Sequence, residues 1–201
     1  MAWYIYYLPN YNPSRYNWTV IVLFGFEVAY IGFQAGCCQI SHFNNSSPIY
    51  AGLYALMGIA ATAVTLYTAY IGVLFFTTAI PSLPSYYLWG IRWGIFVFVI
   101  FALEGFVMGG RMSHTIGGPD ANNYGIPILN WSTKYGDPRV AHFIGMHALQ
   151  LLPLLSFYLI KNTRGVFIIS ILYTLLAIFT LMRSLKGKPI LKSKVEVVSE
   201  D

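Results

Sequence analysis

The chain has 201 residues, 57% hydrophobic, 17% aromatic and only 9% charged, with a formal net charge of +5 and a mean hydropathy of +0.59. A soluble domain carries about a quarter charged residues, so this chain cannot clothe a water-facing surface and its solvent is lipid. The positive charge is concentrated in the tail RSLKGKPILKSK, at Arg183, Lys186, Lys188, Lys192 and Lys194. That is a membrane-flank pattern and not a nucleic-acid footprint.

The N-terminal stretch MAWYIYYLPNYNPSRY has no basic n-region and no small-residue cleavage site, so it reads as no removable signal peptide. A spanning helix needs roughly 20 mainly apolar residues. Five runs satisfy this, at about 18–38, 50–77, 86–110, 139–160 and 165–183. They predict an all-α transmembrane fold, a five-helix membrane bundle in a single membrane domain over 1–201. The second run is too short for two spans, so it is expected to tilt or to stop before the turn IPSLPS. Cys37 and Cys38 are adjacent and imply no disulfide framework.

Five spans put the termini on opposite sides, and the Lys and Arg count places the C-terminus in the cytoplasm. In either orientation QISHFNNSSP (39–48) and the 111–138 connection share one face. His42, His114 and His142 are therefore gathered near one membrane surface. The 111–138 connection is long and rich in Gly, Pro, Asn and Asp, yet it carries Ile116, Ile126, Ile128, Leu129 and Trp131. It is predicted to fold as a polar cap. Its segment ANNYG is the polar turn expected to vary most.

Helical geometry then sorts the faces. On the first helix Glu27, Gln34 and Cys38 share a face. On the third, Trp93, Val97, Ile100, Glu104, Met108 and Arg111 align. On the fourth, Arg139, His142, Met146, Gln150 and Pro153 align, with His147 at their edge. The second helix has a stripe of small residues, Ala51, Ala55, Gly58, Thr62 and Thr65, of the kind that lets helices approach closely in lipid. The fifth, GVFIISILYTLLAIFTLM, shows no polar stripe. Helices one to four are thus expected to form the core, with the fifth peripheral. At a rise of ~1.5 Å per residue, Glu104 and His147 lie at matching depth, as do Glu27 and Gln150 nearer the midplane. Two cross-helix contacts follow as expectations, Glu104 with His147 and Glu27 with Gln150.

Ionisable groups inside a span are costly and mark functional sites by default. Asp137 reads simply as a helix N-cap, and Gln34, Gln150 and Cys38 as interhelical hydrogen-bonding groups. The remaining pattern points to a membrane-embedded site for haem or a transition metal (zinc, iron or copper) used in redox chemistry. His147 and His142 are the first-choice ligands and His42 and His114 the second, with Met57 or Met108 available to a deeper haem. Glu104 and Glu27 are the candidate acid–base groups. Arg111, Arg139 and Gln150 are the candidate cofactor contacts, the arginines as anion anchors. No CxxCH is present, so the haem would be non-covalent haem b. The alternative is a cofactor-free transporter of protons or a small solute, or an accessory subunit. The partners expected are the lipid bilayer and a membrane subunit or a second copy of the chain, with no nucleic acid.

The strings SHFN, GGRMSHTIGGPD, PILNWSTKYGDPRVAHF and HALQLLPL resemble those of a family of uncharacterised bacterial multi-span membrane proteins. The resemblance covers most of the chain, from Glu27 to Pro153. It implies a bacterial inner-membrane setting and carries no activity.

Overall fold

Four of the five apolar runs begin at a residue able to satisfy an orphan helix N–H, and three have proline in the first turn, where its missing N–H costs nothing. Helix α1 (Pro13–Gly36) is capped by Asn12, α2 (Pro48–Thr77) by Ser47, α4 (Pro138–Leu155) by Asp137 and α5 (Thr163–Leu185) by Asn162. Helix α3 (Ser85–Arg111) follows Pro84 with no side-chain cap. These come from a computed structural model that describes residues 4–9, 11–119 and 125–191. All five helices are long and apolar enough to cross a membrane, and no strand forms among the described residues. The fold is therefore all-α and multi-pass, with the spans where the hydropathy runs lie. The 30 residues of α2 extend about 45 Å against a hydrocarbon core of about 30 Å, so this helix tilts or protrudes.

Helix α3 is central. Its apolar stretch is 44% buried, against 39% for α2, 33% for α4, 22% for α5 and 11% for α1. α5 lies outside α2, α3 and α4 as expected, but α1 is more peripheral still, packed chiefly on α2. The expectation that α1 belongs to the core is corrected by this packing. The reason is a stripe on α5 that hydropathy hides: Ser170, Ala177, Thr180 and Ser184 are buried at helical spacing. Small side chains bring that helix close to α3 and α4, whereas on α1 a Cβ added at Gly25, Gly32 or Gly36 would meet nothing within 4 Å.

The α3–α4 contact is the tightest. Gly90 and Gly94 sit where a Cβ would run into Ser156, or into the Ala148 carbonyl, and Gly145 sits against the Phe101 ring. Ala141, Gly145, Ala148 and Leu152 form the buried face of α4. Pro153 interrupts this helix, which widens into a π-helical turn at Ser156–Ile160. The Ser156 hydroxyl donates to the Leu152 and Pro153 carbonyls. At the same end, a 3-10 turn at Tyr4–Tyr7 buries Ile5 against the core formed by Ile71, Phe75, Tyr87 and Ile91.

The 111–138 connection is folded where it is described. Bridges join Ile116 to Gly136 and Gly125 to Ser132. Asp137 is more than the simple N-cap read from the sequence. Its carboxylate accepts from the Ser132 and Arg139 backbone N–H groups and holds the Arg139 side chain, with Nε at 2.9 Å and NH2 at 2.6 Å. Its carbonyl accepts from the Ser184 hydroxyl, tying the cap to the end of α5. Residues 120–124, including most of ANNYG, and the tail lysines Lys192 and Lys194 lie outside the described residues.

Candidate functional site

A cavity of about 570 Å³ opens beside α3, on the membrane face that carries the cap. Its wall on α2 is the small-residue stripe, and the expected role of that stripe is revised. Ala55, Gly58, Thr62 and Thr65 line the cavity, and a Cβ at Gly58 would meet nothing within 4 Å. Here small residues leave space and do not draw helices together.

Glu27, His42, His114, His142 and Arg139 all line this cavity. Glu27, half-buried on α1, forms part of its wall within the span. His42 and His114 come from the two connections and meet with ring centres 6.3 Å apart. Phe43 packs 4.6 Å from the His114 ring, and Tyr54 closes the aromatic cluster against His42 and Phe43. The Ser41 hydroxyl lies 3.0 Å from His42 Nδ1 and orients that ring. Burial, with the neighbouring His114 as a lesser cause, holds the His42 pKa below its ordinary value, so the imidazole is neutral near pH 7. Phe43, Tyr54 and Phe106 line the cavity as well, and in a chain with 17% aromatics nothing in the sequence marks these three out.

His142 sits behind this cluster and lies against α3, where Gly105 leaves room for its ring. Its Nδ1 is 3.5 Å from Glu104 Oε2. That is an ionic contact longer than a well-formed hydrogen bond. Both Glu104 oxygens are buried with no hydrogen-bond partner.

The expected pairs Glu104–His147 and Glu27–Gln150 are not formed. Glu104 meets His142. His147 and Gln150 line a separate groove between α4 and α5, and His147 Nδ1 is 2.7 Å from the Phe143 carbonyl. The cause is the rotation of α4. At 100° per residue, His142 lies about 90° from the middle of the Ala141–Gly145–Ala148 face, whereas His147 lies roughly 130° and Gln150 roughly 170° away. The close-packing face, not the polar stripe, turned inward. His147 and Gln150 are thus removed from the cavity, and with His147 goes the deeper ligand set expected with Met57 or Met108, although both methionines line the cavity.

The two arginines differ from expectation as well. Arg111 ends α3 exposed and outside the cavity lining. Arg139 reaches the lining, but its guanidinium is neutralised by Asp137 and also donates to the Asn130 carbonyl, so it is no anion anchor. Cys38 is exposed, and Gln34 is buried and donates to the Tyr30 hydroxyl. Among the described residues no three His, Cys, Asp or Glu side chains converge closely enough to hold a metal ion.

The chain matches no protein-family model, no curated protein and no solved structure.

Proposed function

We propose that this is a bacterial inner-membrane protein, its C-terminus in the cytoplasm, that binds haem b for redox chemistry, with His42 and His114 as the iron ligands. One observation carries the reading: two imidazoles from separate connections line one cavity with ring centres 6.3 Å apart. Two imidazoles that would hold one iron between them would have centres roughly 6–7 Å apart, from two metal–nitrogen bonds of about 2 Å and the ring radii. The cavity volume of about 570 Å³ falls in the range of cofactor sites. The donor set fits haem better than a bare zinc, iron or copper ion, because haem needs two protein ligands where an ion needs three or four.

Haem supplies one-electron transfer when bound; the chain supplies the rest. Ser41 fixes the His42 ring, and the neutral His42 imidazole is the ligating form. Phe43, Tyr54 and Phe106 wall the site. Glu104 and His142 form a carboxylate–imidazole contact beside the cavity. Glu27 is a second carboxylate on the cavity wall.

The test is a visible spectrum of the purified protein, oxidised and dithionite-reduced, with elemental analysis of the same sample. A stoichiometric low-spin haem, lost in both His42→Ala and His114→Ala and kept in His147→Ala, is the expected result. A colourless protein that takes up no added haem, or uptake indifferent to both substitutions, refutes the reading. Stoichiometric zinc or copper would establish the bare-metal form instead. The cofactor-free alternative is favoured by Glu27 and the Glu104–His142 pair lining or flanking one cavity. It predicts proton flux in liposomes that Glu104→Gln abolishes.

A further inference from the structure

The polar groups that α4 turns away from the cavity need an explanation of their own. His147 and Gln150 are both exposed on the outer surface, at a groove of about 340 Å³ walled by Phe143, Leu151, Leu154 and Leu176. Along the helix from Pro138 they lie about 14 and 18 Å in, at ~1.5 Å per residue. Within a hydrocarbon core of about 30 Å this places Gln150 near the midplane. A glutamine amide has two N–H donors and an acceptor oxygen, and lipid tails satisfy none of them. No described residue of the chain bonds to the Gln150 side chain.

His147 narrows what can cover this face. Its Nδ1 lies 2.7 Å from the Phe143 carbonyl, which accepts only, so Nδ1 donates there and Nε2 is the ring atom left for a partner. The missing partner must therefore hydrogen-bond an imidazole nitrogen and satisfy an amide, with apolar side chains on either side. A second copy of this chain offers that set. Gln150 can donate to the other copy's His147, and the reverse bond follows by symmetry, as an isologous two-fold interface requires. The groove is held in shape for this. The Tyr173 hydroxyl on α5 donates to the Ile144 carbonyl on α4, fixing one wall to the other.

We propose that the protein is a homodimer in the membrane, joined along the α4–α5 groove by reciprocal Gln150–His147 hydrogen bonds. The interface is separate from the histidine cavity and independent of whether a cofactor binds there.

The test is cross-linking in native membranes. Cys37 and Cys38 are replaced by serine, Leu154→Cys is introduced in the groove, and a short bismaleimide is added. Ile59→Cys, exposed on α2, serves as the control. The expected product is a species of twice the 22.6 kDa chain from the groove cysteine and none from the control. Adding Gln150→Leu or His147→Leu should weaken dimerisation about tenfold on dilution in detergent. Leucine on a lipid-facing surface leaves the fold intact, and the groove cysteine reads the interface in the otherwise native chain. Monomer alone, a cross-link only to a different protein, or a dimer indifferent to both leucine variants overturns the proposal.

Discussion

Asp137 is the residue through which the cap, α4 and α5 are held together, and replacing it should separate the terms it carries. Its side chain is 1% exposed, and Arg139 is 24% exposed. Asp137→Asn keeps an N-cap of similar quality. Its amide has one acceptor oxygen where the carboxylate has two, so either the Ser132 or the Arg139 backbone N–H loses its acceptor, ~1–3 kcal/mol. The ion pair with a partly exposed arginine is lost as well, about 1 kcal/mol. Asp137→Ala loses the cap, about 1 kcal/mol, and leaves the Ser132 N–H unpartnered in a buried setting, a further ~1–3 kcal/mol. With the ion pair included, alanine should cost about 3–5 kcal/mol and asparagine about 2–4 kcal/mol. For a chain of this length that converts to roughly 10 °C in Tm for alanine and about 8 °C for asparagine. Arg139→Ala should cost little, because Asp137 keeps two backbone N–H partners. The assay is thermal unfolding in detergent on the three variants and the native protein. If Arg139→Ala costs as much as Asp137→Ala, or asparagine costs no more than Arg139→Ala, the carboxylate acts through its charge alone and the capping argument fails.

Three further outcomes are expected. Gly145→Ala should cost about 1–3 kcal/mol, read as a lowered Tm, because its Cβ would enter the Phe101 ring. Gly58→Leu should leave Tm near the native value yet abolish haem uptake, because its side chain enters the cavity and not a helix contact. For pH, the folded His42 pKa lies below that of the unfolded chain, so the unfolded state binds the extra proton first. Apo-protein stability should therefore fall as pH drops below about 6.5, and His42→Asn should flatten that slope in pH-dependent melts. Groups near His42 that bear on this titration are His114 from the cap and Tyr54 from α2.

The same α4 segment shows why the candidate site was only partly legible beforehand. Arg139, His142, Met146 and Gln150 make a polar stripe, and polar groups in lipid are costly, so the stripe was expected to face inward. Ala141, Gly145 and Ala148 make a competing stripe, and they set the rotation. Close packing against α3 at Gly94 and Phe101 gains contact along the whole helix. The signal was present in AxxxG on α4 and GxxxG at Gly90–Gly94, but the weight of each stripe depends on the partner surface. On α2 a similar stripe does the opposite and borders a cavity.

By itself the sequence determined that the chain is all-α and multi-pass, where α2, α3, α4 and α5 begin to within two residues, and that His42, His114 and His142 gather at one membrane face. Those features follow from local rules: apolar length against bilayer thickness, caps and prolines at helix starts, and the parity of the spans. Only the tertiary structure decided which face of each helix turns inward. It placed Glu104 against His142 and not His147, neutralised Arg139 with Asp137, and left Gln150 on the outer surface. Helix rotation is set by the complementarity of two surfaces, which no single helix encodes alone.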